Sequence, residues 1–381
     1  ATQGGIMRPL LGQDSSGTLV FLLVLVAAAS SLTLCSATWV PITEAPVAVE
    51  GRAVAHSDYL AFDWSAVSVR LVVTNTTQVS VTLADVDAFY NVFIDGSRSP
   101  SQILHVDEYS PVSYSLLPPG EALLPSRPYA FLIYRRTEAQ NNWEGAAQLH
   151  GFTLDDGGVM EEPSWQAPTR RLEFMGDSVT CGYGILGNTT DCDPFNPQGV
   201  MEDSWLTYTE LLARKFDASV HVEAWSGIGL VRNYGDTNQT SLHPFPTIWN
   251  RTIGVMAEPV YDFSLFIPDA VVIHIGGNDY STGPPNPTQE QFETAYVSLI
   301  HTIRNAYATP ALPMFLMCGP MYGDPCDYIM NVVNFVPNAH FVNVTSILGP
   351  GTYGCDSHPN VAGHRKIAAL AEPLIAGVMG W

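Results

Sequence analysis

Two rhythms divide the chain. From about Trp39 to Asp155 the pattern has period two: Val67, Val69, Leu71 and Val73 alternate with Ser68, Arg70 and Val72, and Val79, Val81 and Leu83 alternate with Ser80 and Thr82. Asn75-Thr76-Thr77 and Asp95-Gly96 supply turn chemistry between such runs, and residues 90–94, 129–134 and 146–154 continue the pattern. Alternation places every second side chain on one face of a strand, so this region predicts a jelly-roll-like β-sandwich with no long amphipathic helix. Residues 161–168 (EEPSWQAP) carry two prolines that block regular structure, which predicts a linker.

Beyond the linker, apolar runs at 172–175, 220–224, 270–275, 314–318 and 340–344 alternate with helical stretches. One helix is predicted at 205–216, with Leu211 and Leu212 on its apolar side. Another, at 289–307, spaces Phe292, Tyr296, Leu299, Ile300 and Ile303 at helical intervals. A third follows Asn360 through Ile367, Leu370 and Leu374, with Pro373 ending or kinking it. Strand–helix alternation predicts a three-layer α/β domain, a parallel sheet covered by helices on both faces. No internal repeat is visible. The expected organisation is a leader at 1–37, a β-sandwich domain at 38–160, the linker at 161–168 and an α/β domain at 169–381. A chain of 381 residues has room for both cores.

The leader rests on residues 18–34 (TLVFLLVLVAAASSLTL), an uncharged run preceded by Arg8 and followed by Cys35-Ser36-Ala37. That order reads as a secretory signal cleaved near Ala37. The rival is a retained signal anchor, since the run approaches the ~20 residues a spanning helix needs; the weakly hydrophobic Ala-rich second half favours cleavage.

Composition narrows the partners. Lys and Arg total 16 against 37 Asp and Glu, for a formal charge of −21. Such a surface repels phosphate backbones and anionic lipid, which disfavours nucleic acid and points to a neutral substrate. Five Asn-x-Ser/Thr sequons, at Asn75, Asn188, Asn238, Asn250 and Asn343, fit a glycosylated secreted protein. Beyond Cys35 lie Cys181, Cys192, Cys318, Cys326 and Cys355, which predicts two disulfides and one free thiol in an oxidising compartment. Sequence proximity pairs Cys181 with Cys192. No Cys-x-x-Cys or His-Glu-x-x-His spacing occurs, so no metal or other cofactor is expected.

In an open parallel sheet, ligands bind beyond the carboxyl ends of the strands. Gly176-Asp177-Ser178 follows the first such strand, where a serine at a strand-to-helix turn is exposed and its own N–H meets developing negative charge. Ser226-Gly227-Ile228-Gly229 follows the second; its glycine lets a backbone N–H approach a ligand. Gly276-Gly277-Asn278-Asp279 follows the third and offers an amide donor. Asp356-Ser357-His358-Pro359 precedes the last helix, where a carboxylate can orient the imidazole and leave Nε2 to take a serine proton. Each piece alone reads as a turn or a cap. Together they supply a nucleophile (Ser178), a base (His358), an orienter (Asp356) and oxyanion donors from Ser178, Gly227 and Asn278.

The blocks GDSVTCGYG, SGIG, GGND and DSHPN resemble, in order, the four motif blocks of SGNH (GDSL-like) hydrolases, with Val179 where many relatives have Leu. Gly51-Arg52, Phe62-Asp63-Trp64 and Val92-Phe93-Ile94-Asp95-Gly96 upstream, and the run Ser226 to Tyr234, resemble carbohydrate esterase family two, although Ala66 replaces a glycine often found after Asp63-Trp64-Ser65. The resemblance implies a serine esterase that removes O-acetyl groups from a polysaccharide such as xylan or glucomannan through an acyl-enzyme. The leader implies a secreted protein, expected to be monomeric and free of membrane once that leader is cleaved. Trp249 and Tyr280 lie near the motif blocks and could stack on a sugar, but core packing is the expected role of each. Two other functions remain open: hydrolysis of lipid or generic short-chain esters by the same residues, and a carbohydrate-binding surface protein with a vestigial triad.

Overall fold

The computed structural model describes residues 37–139, 145–192, 198–321 and 323–381. The expected leader, with Arg8 and Cys35, lies outside the described residues.

Ten strands make up the first region: β1 Thr38–Pro41, β2 Ala48–Glu50, β3 Val54–Ala55, β4 Leu60–Phe62, β5 Ser68–Thr74, β6 Val79–Ile94, β7 Gln102–Ser115, β8 Tyr129–Arg135, β9 Ala147–Leu154 and β10 Val159–Glu161. They form one curled antiparallel sheet instead of two separate ones, in the order β10-β5-β8-β6-β9-β4-β3, with β1 on β9, β2 on β5 and β7 on β6. The long β6 joins two runs that the sequence separates. Its first half pairs with β9, its second half with β8, and both halves pair with β7. Register shifts between Leu83 and Ala88 bend it between those duties, as bulges do. The alternation holds: Val69, Leu71, Val73, Val79, Val81 and Leu83 are all buried. Asp95 (φ 52°) and Gly96 (φ 70°) form the expected turn, both in the left-handed region that a tight hairpin requires.

Residues 162–168 carry no regular secondary structure, as the prolines require. The second sheet then contains β11 Arg170–Gly176, β12 Ala218–Ala224, β13 Ala270–His274, β14 Met314–Cys318 and β15 Ala339–Asn343, all parallel, in the order β12-β11-β13-β14-β15. Its helices are α1 Ser178–Cys181, α2 Tyr208–Phe216, α3 Gly277–Tyr280, α4 Gln289–Ala306, α5 Cys326–Phe335 and α6 Val361–Met379. Alternate strand residues face opposite layers. Leu172, Phe174 and Val222 pack with Leu212 of α2 and Ile367 and Ile375 of α6, whereas Met175 and Ile273 pack with Phe292 and Ile300 of α4 and Val332 of α5. This gives the three layers expected. α4 opens with a Thr288/Gln291 capping box, which fixes its start. α6 continues through Pro373 to Met379, so the proline does not end it.

The cysteine pairing differs from the expectation. Cys192 bonds Cys355, Cys318 bonds Cys326, and Cys181 is a buried free thiol. Cys181 sits inside the short helix that begins at Ser178, packed in the core under the sheet, and is out of play for the surface loop that carries Cys192.

Polar anchors tie the two regions together, and they are the residues of the upstream motifs. Arg52, fully buried, donates to the carbonyls of Trp249 (2.5 Å) and Arg251 (2.9 Å) and pairs with Glu173 and Glu223, each at 2.9 Å. The Asp63 carboxylate accepts from the N–H groups of Gly254 (2.7 Å) and Val255 (3.0 Å). Trp64 Nε1 lies 3.3 Å from the Arg251 carbonyl. The apolar core is likewise continuous from Trp64 and Phe62 to Met175 and Trp225.

Candidate active site

In the order β12-β11-β13-β14 the chain leaves β11 toward one side and β13 toward the other, which opens a crevice between the carboxyl ends of β11 and β13. Ser178 starts α1 there, directly after β11. Gly176 makes the turn possible: a β-carbon at that position would run into Thr180 Oγ1 and the His274 carbonyl. Asp177 caps α1, its carboxylate accepting the Val179 N–H at 3.1 Å. The Ser178 N–H, in the first turn, has no intrahelical acceptor.

Ser178 Oγ lies 2.7 Å from His358 Nε2. The other imidazole nitrogen, Nδ1, is 3.1 Å from the backbone carbonyl of Asp356. The expected carboxylate–imidazole contact is therefore replaced by a main-chain one. Asp356 (φ 49°, ψ 37°) and Ser357 (φ 63°) are both left-handed, a turn that brings the Asp356 carbonyl to the Nδ1 edge of the ring. The Asp356 carboxylate instead accepts from Tyr183 Oη at 2.7 Å. Tyr183 also packs its ring on His358, with centroids 4.7 Å apart. Burial holds the His358 imidazole below its ordinary pKa, opposed by the hydrogen bond from Nδ1 to the Asp356 carbonyl.

Gly227 and Asn278 reach the same crevice. A cleft of about 620 Å³ is lined by Ser178, Gly227, Asn278, Asp356 and His358, together with Tyr183, Tyr234 and Met321. Gly227 stands at φ 76°, where a side chain would be strained. Asn278 Nδ2 donates to the Ile228 carbonyl at 2.8 Å and lies 3.3 Å from Asp177 Oδ2. The loop after β12 is shaped from below by Asp279, whose carboxylate accepts the consecutive N–H groups of Leu230 (2.8 Å), Val231 (2.7 Å) and Arg232 (2.9 Å). That explains an aspartate beside Asn278 for which the sequence reading assigned no role.

Three buried carboxyls underlie the cleft. Burial, reinforced by Asp324, pushes Asp177 up to about 8. Burial alone raises Asp324 to about 7, and it raises Asp279 to about 6 against the pull of its three N–H donors. Asp177 is thus largely protonated at neutral pH, which keeps negative charge away from the place where an oxyanion would form.

Neither aromatic candidate lines this cleft. Trp249 is 2% exposed and faces a separate cavity beside Leu230 and Leu299. Tyr280 packs its ring against Phe292 and Tyr328, with centroids 5.7 and 6.0 Å apart. Both serve packing. The aromatic groups at the cleft are Tyr183 and Tyr234. Tyr234 is 62% exposed and borders a second cavity, of about 680 Å³, that shares Ser226 and Gly227 with the first. It stood in the quoted run Ser226 to Tyr234, but nothing in the spacing marked it as exposed.

Among the described residues, two buried groups bring three metal-ligating atoms together: Glu138, Cys181 and Glu202, and Glu173, His221 and Glu223. In the second, the Arg52 guanidinium already pairs with both carboxylates.

Known proteins resemble this chain in sequence and fold. Over 331 residues the chain is 31% identical to the cellulase/esterase CelE of Acetivibrio thermocellus, covering 84% of this chain and 38% of that protein, so it spans well under half of that relative. It is 26% identical over 257 residues to an acetylxylan esterase / glucomannan deacetylase of Cellvibrio japonicus, covering 65% of this chain and 67% of the relative. A family two carbohydrate esterase from Clostridium thermocellum, solved in complex with cellohexaose, superposes with a TM-score of 0.77 at 28% identity, covering 88% of this chain and 99% of that one. Residues 174–366 match the GDSL-like lipase/acylhydrolase family, a span that runs from the strand before Ser178 past His358, and the chain belongs to that family.

Proposed function

We propose that the protein is a secreted serine esterase that removes O-acetyl groups from carbohydrate. The observation that carries the reading is the 2.7 Å contact between Ser178 Oγ and His358 Nε2 at the switch point of the sheet, with Gly227 and Asn278 on the same cleft. Ser178 Oγ attacks the acetyl carbonyl as His358 Nε2 takes its proton. The N–H groups of Ser178 and Gly227 hold the oxyanion, joined by the Asn278 amide hydrogen that gives up its long 3.3 Å contact with Asp177 Oδ2; losing one such donor typically costs about 10²–10³ in rate. His358 then returns the proton to the leaving sugar hydroxyl, and water, deprotonated by the same nitrogen, releases acetate from the acyl-serine.

A carbohydrate leaving group is supported by the space on that side. Two adjoining cavities meet at the exposed Tyr234, an amphipathic ring suited to stack on a sugar. The relatives' deacetylase and cellohexaose-binding names agree with it. In this reading residues 169–381 are the catalytic domain, and residues 38–160 are a jelly-roll-like domain that docks on it. Secretion is supported by two disulfides and by exposed Asn75, Asn188, Asn238 and Asn343 within sequons. No helix among the described residues is long and apolar enough to cross a membrane.

The test is acyl-chain length at a constant leaving group. A pocket closed near the carbonyl rejects each added methylene instead of gaining the ~0.8 kcal/mol of burial. We expect kcat/KM to fall steeply from acetate to butyrate and to vanish at octanoate, with Ser178→Ala inactive throughout. Efficiency that rises with chain length overturns the carbohydrate reading in favour of a lipid ester. Full activity in folded Ser178→Ala overturns the mechanism.

A further inference from the structure

The loop that carries Gly227 is held by a residue of the N-terminal region. Glu138 follows β8 in the N-terminal region and is fully buried. Its Oε2 accepts the Ser226 N–H at 2.5 Å and the Cys181 thiol at 3.3 Å. Ser226 immediately precedes Gly227, and Cys181 ends α1, the helix that Ser178 begins. One carboxylate oxygen therefore joins the two segments that present the backbone donors of the oxyanion site.

Glu138 is itself fixed. Its N–H donates to Glu202 Oε1 at 2.6 Å, and Glu202 is buried with its other oxygen unpartnered. Burial and the neighbouring Glu138 hold Glu202 well above the usual carboxylate range. Arg135 and Arg136 offset part of that burial, and burying two acidic side chains side by side is costly.

We propose that Glu138 is a positioning residue for ester hydrolysis: its carboxylate sets the spacing between the Ser178 and Gly227 N–H groups. The proposal rests on the Ser178–His358 reading above. An oxyanion site works only when its donors are held in place before the charge develops, and small displacements of a donor forfeit most of its effect. Asp279 holds the later part of this loop, and the Gly227 carbonyl accepts the Tyr234 N–H at 2.8 Å; Glu138 fixes the residue before Gly227, on the side that faces Ser178.

The experiment compares Glu138→Met, which keeps the bulk but has no oxygen, with Glu138→Gln, whose amide oxygen can still accept, both in the full chain. Kinetics use p-nitrophenyl acetate, and hydrogen exchange follows the peptide that contains Ser226 and Gly227. In Glu138→Met we expect kcat to fall by at least about 30-fold, within reach of the cost of a lost oxyanion donor, with KM within about twofold and exchange faster by about tenfold. Glu138→Gln should restore kcat to within about threefold of the parent. Should Glu138→Met fail to fold, Glu138→Asp, whose oxygen is withdrawn by one methylene, takes its place with the same expected loss. A kcat in Glu138→Met close to the parent's, or an equal loss in Met and Gln, overturns the proposal. Exchange reads the Glu138–Ser226 link without catalysis: unchanged exchange in Glu138→Met overturns the link even if the parent chain hydrolyses its ester. A parent chain that hydrolyses no ester, with exchange responding as expected, fails the catalytic reading and leaves Glu138 only a structural tie.

Discussion

Replacing Asp356 with asparagine separates two ways of orienting a catalytic histidine. If the carboxylate held His358 as in a Ser-His-Asp triad, the change would cost about 10⁴ in kcat. Here His358 Nδ1 donates to the Asp356 carbonyl, which the substitution keeps. Asparagine also tolerates the left-handed φ of 49° and still offers Tyr183 an acceptor. What disappears is one negative charge at an exposed position. In water-like surroundings a pair of unit charges about 4 Å apart is worth about 1 kcal/mol, or roughly a fivefold change. Asp356→Asn should therefore retain kcat/KM for p-nitrophenyl acetate within about tenfold of the parent, three orders of magnitude from the triad expectation. Asp356→Ala should do worse, because a left-handed alanine costs about 1–2 kcal/mol and the strain shifts the carbonyl itself. A folded Asp356→Asn protein, checked by its unfolding temperature, that has lost 10³ or more would refute the backbone assignment.

Three further outcomes follow from the same geometry. His358 must be neutral to accept a proton and its pKa is depressed by burial, so the acid limb of kcat/KM should lie below pH 6.5; a limb above pH 7 contradicts this. Asp177 and Asp324 keep protons in the folded state to about 8 and about 7 that the unfolded chain releases near 4, so their contribution to stability is full below about pH 4 and lost as pH rises to about 8. Asp324→Asn should accordingly flatten the fall in Tm between pH 5 and pH 8 and raise Tm at pH 8, and a parallel-shifted curve would deny the effect. Cys192→Ser frees Cys355, next to Asp356, from the loop after α1. It should cost about 2–4 kcal/mol of stability and lower kcat more than it raises KM; an unchanged kcat would mean that the His358 turn is rigid without the bridge.

The sequence revealed most where side-chain type and period carry the information. The five parallel strands and the nucleophile, base and glycine blocks at their ends follow from hydrophobic runs and from what comes after them. β7 was missed because most of its residues are exposed and it holds Pro111, so its period was hidden. The Asp356 role was half legible: the residue was named, but a carbonyl oxygen leaves no trace in residue identity. Trp249 lies in the core, the role expected of it, although an aromatic near a motif looks the same in sequence whether it faces a cleft or the core. Pairing Cys181 with Cys192 failed because nearness along the chain does not say which side of a helix a thiol occupies. The glycine expected at Ala66 has a physical reason: this buried residue stands at φ 67°, the left-handed backbone for which glycine is the usual occupant.

The anchors at Arg52 and Asp63 bear on how the chain is made. Their partners at Trp249, Arg251, Gly254 and Val255 lie 191–199 residues further along. At about 5–20 residues per second, the ribosome takes roughly 10–40 s to deliver those partners after the anchors have emerged. Through that interval the N-terminal sheet carries a cation and a carboxylate destined for burial, along with half of a shared apolar core, and it cannot close over them. Folding of this chain is therefore vectorial only in part: the first-made half must wait, unfinished and sticky, for the last-made half to complete it. Yields of the intact chain should therefore respond to anything that slows elongation between residues 64 and 255.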